Sequence, residues 1–344
     1  MTKIPIVDQS EGTVVGTTQF LVLLQSVPHL GEKALIRLLS GTAQRRISPE
    51  AVLSLSANEL ETELELDPRS ASYIESHREE LKAHSAAVAR MLRSYPLQVI
   101  SIAGAAYPSR IERYSDIPPP VLYTLGNLKL LEPSQAQHAA AAGSSSRQIP
   151  EFTSTSTFTF TVAASRSASQ ASMTYLDEVS TQLASLGGVT VTGHDRPEYQ
   201  RLALAAQRRN LPTVYVFDRG IREALGPEFN RPPFAAARIR DAEFVTERDL
   251  AISQFRLDDH CLGGNNRRRD SLVFTLSDLV VALDVRASGG MYEECIRAHR
   301  QGKPVFVARG GRDGNEKLRE LKLPDLPDIA ELASNIEDML VRPV

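Results

Sequence analysis

The spacing of apolar residues divides the chain into a helical first part and a second part in which strands alternate with helices. Between 17 and 94, apolar residues recur three and four positions apart, as at 34–39, which is typical of amphipathic helices. Asp67 and the proline after it form a helix start, which predicts one long helix at 68–94. We therefore expect an all-helical domain at 17–94, after a loose tail at 1–16.

A short turn at 27–31 separates the first two predicted helices. Helical hairpins of this kind can set backbone N–H groups against a nucleic-acid phosphate. The turn is similar to a degenerate helix-hairpin-helix, in which His29 stands where the second glycine usually lies. We favour a plain helical hairpin, with His29 as a surface residue.

Two segments link the helical part to the second part. Residues 95–131 carry a short strand at 98–102, prolines at 118–120 and a second strand at 121–123, and they are predicted to form a strap between the domains. Residues 132–157 are rich in Ala, Ser, Thr and Gln, a composition that cannot bury a core. We expect a flexible linker or insertion there.

From residue 158 onward, short β-branched runs alternate with helical stretches. Strands are predicted at 158–162, 189–192, 213–217, 279–284 and 305–308, with helices at 171–186, 198–209 and 292–300 between them. This alternation predicts an α/β fold with a doubly wound, mostly parallel sheet over 158–320. The segment 221–262 interrupts the alternation, with a further strand expected at 243–245 and a helix after Pro233. A C-terminal helix and tail are predicted for 321–344.

Composition restricts the classes of protein that fit. The 344 residues suffice for about two domains, and a formal net charge of −3 means that nucleic-acid binding would need a local basic patch. No apolar run approaches the roughly 20 residues that span a bilayer, and the N-terminus lacks a signal peptide, so we expect a cytoplasmic protein without membrane contact. Cys261 and Cys295 lack metal-ligand spacing and are predicted to be buried, inert thiols.

The candidate chemistry lies at four strand-to-helix turns, 164–166, 193–195, 218–220 and 288–290. Ligands of a doubly wound sheet bind at the carboxyl ends of the strands, where small residues and helix N-termini accommodate anions. An arginine run follows at 267–269, on a helix expected to reach the same edge. The predicted phosphate-binding residues are Ser165, Arg166, Gly193, Arg267, Arg268, Arg269, Asp270, Ser288, Gly289 and Gly290.

No spacing of residues indicates a catalytic or metal site. There is no Ser/His/Asp arrangement and no pair of carboxylates at catalytic spacing, so we expect neither catalytic residues nor a metal or cofactor. His194 and His260 are interpreted as structural or surface histidines. Glu293 and Glu294 are interpreted as acidic residues favoured at a helix N-terminus.

Several of these motifs occur together in one known family. The strap carries Tyr107-Pro108 and the prolines at 118–120, and a later stretch carries Arg269, Asp284 and Ser288-Gly289. In these segments the chain resembles the DprA/Smf family of DNA-processing proteins, over roughly residues 17–310. On this match Ala164-Ser165-Arg166 is similar to a Gly-Ser/Thr-Arg turn of the family, and Thr192-Gly193 to its Ser-Gly. Asp195 stands near its Gly-Ile-Asp.

The resemblance implies a fold, a function and a set of partners. The fold would be a Rossmann-like domain preceded by a small helical domain of the SAM or helix-hairpin-helix type. The function would be binding of single-stranded DNA at the carboxyl edge of the sheet, by a homodimer that helps to load a RecA-type recombinase in natural transformation. On this reading the protein is not an enzyme and needs no cofactor.

The chain departs from the family pattern at several positions. Ala164 replaces a glycine, and Asp270 replaces an asparagine, which places a negative charge beside the expected DNA groove. The region around Gly-Ile-Asp is abbreviated, with Tyr199 near the place of a family histidine. The replacements at Ala164 and Asp270 bear on how closely a phosphate could approach.

Other readings of the same residues remain open. A nucleotide-sensing module would turn Asp270 and Asp284 toward a ribose or base, and a degenerate copy would bind only a partner protein. A nucleotide phosphoribohydrolase is disfavoured, because the Gly-Gly-x-Gly-Thr signature of that class of enzyme is not present: Met291 and Tyr292 follow Gly290.

Overall fold

The structure is a computed structural model that describes residues 11–131, 158–234, 237 and 243–334. The chain forms two compact units. The first unit comprises Met1–Glu112, Asp116–Thr124 and Gln254–Arg256. The second unit comprises Arg113–Ser115, Leu125–Ser253 and Leu257–Val344. The predicted linker at 132–157 lies outside the described residues.

The first unit is mainly helical. Its helices are α1 (Glu11–Leu24), α2 (Glu32–Arg45), α3 (Pro49–Val52), α4 (Ala57–Leu64), α5 (Pro68–Ser76) and α6 (Arg78–Ser94). Leu21, Leu24, Leu35 and Leu38 form part of the buried core, as the helical spacing predicts. Helix α1 begins at Glu11, so the end of the predicted loose tail is helical.

The predicted long helix at 68–94 is two helices in the structure, and this part of the prediction is wrong. His77 has φ −110° and ψ 20°, which takes it out of helical geometry between α5 and α6. Its ring stacks on Tyr73 with 4.0 Å between ring centroids, and its Nδ1 lies 3.1 Å from the Tyr73 carbonyl oxygen. Side chains that bond to nearby backbone groups compete with helix continuation, and no proline or glycine is needed for such a break.

The turn between α1 and α2 contains one residue with unusual backbone geometry. His29 has φ 63°, in the left-handed region that favours glycine. This accounts for the glycine that similar hairpins carry at that place. His29 is exposed, as predicted.

The strap contains an antiparallel strand pair. Strand β1 (Gln98–Ser101) pairs with β2 (Val121–Gly126), with Gln98 opposite Thr124. Helix α7 (Ser109–Tyr114) lies between them in the chain. The buried Tyr107 hydroxyl donates to the carbonyl oxygen of Pro119 over 2.7 Å, so the proline run is held by a side chain as well as by its own stiffness.

The second unit contains a parallel sheet with strand order β6-β5-β4-β3-β7-β8. The strands are β3 (Phe158–Ala164), β4 (Gly188–Thr192), β5 (Thr213–Val216), β6 (Leu250–Ser253), β7 (Leu279–Asp284) and β8 (Val305–Val307). The helices are α8 (Gln170–Ser185), α9 (Pro197–Gln207), α10 (Ile221–Leu225), α11 (Asn265–Leu276), α12 (Gly290–Arg300) and α13 (Asp313–Glu320). The predicted doubly wound α/β fold is confirmed.

Both faces of the central strands are covered by apolar residues. Along β7, Val281 and Leu283 belong to one hydrophobic cluster with Phe160, whereas Val280 and Ala282 belong to another. Successive side chains of a strand point to opposite faces of the sheet. The uninterrupted apolar run at 279–283 therefore reflects burial on both sides.

The interruption at 221–262 contains a strand that the sequence analysis missed. Strand β6 occupies Leu250–Ser253, whereas the strand predicted at 243–245 is not formed. The Val245 N–H donates to Asp249 Oδ2 over 3.1 Å, which ties this backbone into a turn instead of a ladder. Most of the helix expected after Pro233 lies outside the described residues. Of the helix and tail predicted for 321–344, residues 329–334 are helical, and residues 335–344 lie outside the described residues.

Two further expectations concern thiols and membranes. Cys295 is buried as predicted, but Cys261 is exposed, so the prediction of two buried thiols is wrong for Cys261. None of the helices described has the length and apolarity that crossing a membrane requires.

Candidate nucleic-acid interface

Three arginines line the carboxyl ends of adjacent strands. Arg166, Arg286 and Arg309 each stand two residues after the last residue of β3, β7 and β8, respectively. All three are exposed, and no side-chain partner is found for them among the described residues. Neighbouring strands lie about 4.8 Å apart, so the three residues follow one another along the sheet edge. We call these three residues the arginine row.

The loop after β3 is fixed to the loop after β7. Ser165 is buried, its N–H donates to the Asp284 carbonyl oxygen over 2.8 Å, and its Oγ accepts from the Arg286 N–H over 3.0 Å. Ala164, the last residue of β3, is also buried. The alanine methyl group is thus shielded and does not obstruct the exposed edge, and Ser165 positions two members of the arginine row.

Arg312, which was not predicted from the sequence, is bonded to the same loop. Its Nε lies 2.9 Å from Asp284 Oδ1, and its guanidinium donates to the carbonyl oxygens of Arg166, over 3.2 Å, and Ser167. Ser167 has φ 61°, a left-handed conformation that this contact helps to hold. Because Arg312 is the ion-pair partner of the buried Asp284, this carboxylate does not need an arginine of the row as its partner.

The turn at Ser288–Gly290 provides an open backbone surface. Ser288 and Gly290 are exposed, and α12 begins at Gly290. A Cβ added to Gly289 or Gly290 would meet no atom within 4 Å. The first N–H groups of a helix have no partner within the helix, so a phosphate could approach them here.

The arginine run at 267–269 divides into three different environments. Arg267 is exposed and pairs with the exposed Glu293 at 3.1 Å, and Arg268 is half-buried. Arg269 has no exposed side-chain area: its Nη1 lies 2.5 Å from Asp195 Oδ1, and its Nε lies 2.7 Å from Asp270 Oδ1. In this structure Arg269 therefore lies inside the unit and holds two carboxylates.

Asp270 lies at the centre of the same buried network. Its Oδ1 accepts hydrogen bonds from Arg196 over 2.9 Å and from the Tyr199 hydroxyl over 2.7 Å, in addition to Arg269. Two guanidinium groups thus offset the charge that was expected to repel DNA. Burial and the charge of Asp270 raise the pKa of Tyr199, so this hydroxyl remains a donor.

Gly193 makes room for the network. A Cβ at this position would lie 2.6 Å from the ring of Tyr199 and 2.7 Å from Arg269 Nη1. Gly193 is therefore needed for packing beneath the sheet edge. Burial would raise the pKa of Asp195, but the hydrogen bond and charge of Arg269 outweigh burial and lower it, so Asp195 stays ionised.

Among the described residues, one group of side chains has the composition of a metal site. Ligand-type atoms of His194, Asp195 and Asp218 lie within 4.8 Å of one another. Burial lowers the pKa of His194 to about 4, so the ring is neutral at physiological pH. However, Arg269 already pairs with Asp195, and Arg219 Nε lies 2.9 Å from Asp218 Oδ1. A divalent cation would have to compete with both guanidinium groups.

Taken together, the predicted residues fall into two groups. At the open edge are Arg166, Ser288, Gly289 and Gly290, and Arg267 on α11 reaches this edge through its ion pair with Glu293 in the first turn of α12. Arg268 is half-buried on α11. Beneath the edge are Ser165, Gly193, Arg269 and Asp270. Arg286 and Arg309 were not predicted, although each is a charged residue two positions after a strand. No local signal in the sequence marks Arg312.

A doubly wound parallel sheet with helices between its strands defines the Rossmann-like class of fold. Comparison with solved structures shows which member of that class this fold is similar to. DNA processing protein A from Streptococcus pneumoniae matches with a TM-score of 0.67 and 17% sequence identity, covering 92% of this chain and 97% of that chain. The predicted resemblance to the DprA/Smf family is confirmed at the level of the fold.

Two other solved structures also match. DNA processing protein A from Helicobacter pylori, in a structure concerned with its single-stranded DNA binding mode, gives a TM-score of 0.52 at 17% identity, covering 71% of this chain and 97% of that chain. The molybdenum cofactor binding protein from Rippkaea orientalis gives 0.37 at 14% identity, covering 53% and 96%. No protein-family model and no curated protein matches the sequence.

Proposed function

We propose that this protein binds single-stranded DNA along the carboxyl edge of its sheet, without strong dependence on sequence. The observation that carries the proposal is the arginine row, Arg166, Arg286 and Arg309, exposed and without side-chain partners in the described part of the chain. The fold likeness to the Helicobacter pylori protein, whose structure concerns single-stranded DNA binding, supports the same ligand.

The physical basis is attraction between fixed cations and phosphates. An exposed guanidinium without a carboxylate partner is free to bind a phosphate, and the open backbone at Ser288–Gly290 adds N–H donors beside the row. Such contacts position a strand without reading its bases. They release counterions, so affinity should fall steeply as the salt concentration rises.

The wider role is proposed on the resemblance. The protein would act as a homodimer through the Rossmann-like unit, in the cytoplasm, without catalytic activity or a cofactor. It would help to load a RecA-type recombinase on incoming DNA during natural transformation. Sedimentation velocity tests the dimer, and a monomer would contradict this part of the proposal. A strand-exchange reaction with the recombinase tests loading, and exchange that the protein does not accelerate would contradict that part.

Fluorescence anisotropy with a labelled, unstructured oligonucleotide across a salt series tests the binding proposal. Wild type would be compared with Arg166→Ala, Arg286→Ala and Arg309→Ala. The matched control is Arg300→Ala, an exposed arginine at the far end of α12, toward the opposite edge of the sheet.

We expect each row variant to bind more weakly and to lower the slope of log affinity against log salt by about 0.7, the value for one phosphate contact on a single strand. The control should retain the wild-type slope. Absence of binding by folded wild-type protein at low salt would refute the proposal and leave a protein that binds only a partner protein.

The alternative of a nucleotide sensor built on Asp270 and Asp284 loses its structural basis. Both carboxylates are buried, Asp270 by Arg196 and Arg269, and Asp284 by Arg312. Neither side chain is open to a ribose or a base in this arrangement.

A further inference from the structure

Three segments of the second unit meet around the buried carboxylate of Asp218. His194 follows β4, Asp218 follows β5, and Cys261 lies in the segment that leads from β6 to α11. The Gly220 N–H donates to the carbonyl oxygen of Asp259 over 2.9 Å, which fixes that segment to the loop after β5. The fold therefore brings an imidazole, a carboxylate and a thiol together from separate parts of the chain.

The imidazole of His194 is held by packing and not by hydrogen bonds. His194 is 8% exposed, and its ring lies edge-on to the ring of Phe217, with 4.8 Å between the centroids. Its Nδ1 is shielded from solvent and has no hydrogen-bond partner among the described residues. Its Nε2 lies 3.5 Å from Asp218 Oδ1, too far for a strong hydrogen bond. One nitrogen of the neutral ring thus keeps a lone pair for a cation.

The distance between Nε2 and Oδ1 matches that between two ligand atoms of a tetrahedral metal ion. Zinc lies about 2.0–2.2 Å from a histidine nitrogen or a carboxylate oxygen, so at the tetrahedral angle two such atoms are about 3.4 Å apart. The 3.5 Å between His194 Nε2 and Asp218 Oδ1 therefore suits one zinc ion bound to both atoms.

The thiol of Cys261 offers a third ligand beside the same carboxylate. Burial, and then the charge and hydrogen bond of Asp218, raise the pKa of Cys261, so the metal-free thiol is protonated. A zinc ion would take the place of that proton, which is released to solvent. Zinc accepts nitrogen, oxygen and thiolate ligands in one site, whereas Mg²⁺ and Ca²⁺ prefer oxygen ligands alone.

The two neighbouring guanidinium groups differ in how strongly they oppose a cation. Arg269 pairs with Asp195, which is not required as a ligand. Arg219 Nε lies 2.9 Å from Asp218 Oδ1, but this arginine side chain is 30% exposed. When an ion binds, Arg219 can turn to solvent and is not left buried without a partner. The exposed Cys261 provides the path by which the ion enters.

We propose that His194, Asp218 and Cys261 bind one zinc ion, with water in the fourth position. The ion would join the loops after β4 and β5 to the segment before α11 and so stabilise this side of the sheet. The arginine row follows β3, β7 and β8 instead, so the inference does not depend on the proposed DNA binding. Because the ligands come from three segments, no short ligand spacing marks them in the sequence.

Titration of the reduced full chain with Co²⁺ and Zn²⁺, after treatment with a chelator, tests the site. Cobalt reports its geometry through the intensity of its visible absorption bands, and a thiolate ligand adds a charge-transfer band in the near ultraviolet. We expect wild type to show tetrahedral cobalt bands together with the thiolate band, and zinc to abolish both. Mg²⁺ should not displace the cobalt.

Two variants each remove one ligand. Cys261→Ser should lose the thiolate band, and both Cys261→Ser and His194→Gln should weaken zinc binding by about 100-fold or more, because changes in the outer shell alone cost about 10–100-fold. Competition with a chromophoric chelator measures the affinity. Circular dichroism of each variant establishes that it is folded.

The matched controls are Cys295→Ala, which removes the buried thiol, and His260→Gln, which removes the exposed histidine beside Cys261. Both should bind zinc like wild type. Absence of zinc binding by folded wild type, a cobalt spectrum without the thiolate band, or unchanged affinity in His194→Gln would overturn the inference. Loss of binding in His260→Gln would also overturn it, because the ion would then lie on the exposed surface at 260–261.

Discussion

Replacing Arg269 by alanine should destabilise the second unit, and it should not remove a direct contact with DNA. The side chain has no exposed area, and it bridges Asp195 and Asp270 beneath the sheet edge. It also lies over the ring of Tyr199, with 4.8 Å from the guanidinium carbon to the ring centroid. Its removal leaves Asp195 without its cation, while Arg196 still pairs with Asp270.

The expected loss follows from the chemistry of buried ion pairs. Breaking such a pair by removing one partner costs about 3–5 kcal/mol, because the remaining charge is poorly solvated. We expect about 4 kcal/mol for Arg269→Ala. Arg269→Lys retains the charge but cannot bridge two carboxylates with a planar guanidinium group. We therefore expect lysine to recover only part of the free energy of unfolding that is lost in Arg269→Ala. Arg267→Ala, which removes an exposed pair with Glu293, should cost less than about 1 kcal/mol.

Urea denaturation followed by circular dichroism measures these differences, since the chain contains no tryptophan for fluorescence. The same variants would be titrated with oligonucleotide under conditions in which they are folded. If Arg269→Ala keeps its stability within about 1 kcal/mol of wild type but no longer binds DNA, the internal assignment is wrong. Arg269 would then contact a phosphate, as the sequence predicts.

Three further changes test other parts of the network. Burial holds the pKa of His194 near 4 in the folded protein, so as the pH falls the unfolded chain protonates this ring before the folded protein does. The free energy of unfolding should therefore fall by about 3 kcal/mol from pH 6.5 to 4. His194→Gln should remove this loss, and a variant with the same pH profile as wild type would contradict the prediction. Gly193→Ala should destabilise by about 1–3 kcal/mol in urea, because its methyl group would overlap Tyr199, and a neutral effect would show that the ring can move. Arg312→Met should cost about 3 kcal/mol by isolating the buried Asp284, and should also weaken DNA binding by releasing the loop after β3; a variant that alters neither quantity would refute this role.

Much of the fold could be predicted because its signals are local. The apolar run of β7 and its turn to α12 lie within a short stretch, and burial on both faces follows from composition alone. The strand-end rule then placed Arg166 and Ser288 at one edge. Strand β6 escaped prediction because the turn before it depends on the Asp249 side chain, which accepts a hydrogen bond from the Val245 N–H.

The inner half of the site could not be predicted because its contacts are distant in sequence. Arg269 meets Asp195 across 74 positions, and nothing near either residue marks the pairing. The same holds for Arg312, which reaches the loop after β3 across 146 positions. A residue type and a motif position thus indicated the right region but not whether a side chain faces solvent or the interior.

The contrast between the two sets of arginines has a geometric cause. Consecutive residues of an α-helix point about 100° apart, so the run at 267–269 directs one side chain to solvent, one sideways and one into the interior. Arg166, Arg286 and Arg309 are far apart in the chain, yet parallel strands end at one edge and place them together. In a doubly wound sheet, arginines that lie the same number of residues after the ends of neighbouring strands therefore form one basic surface. A contiguous run of arginines on a helix instead divides between surface and core.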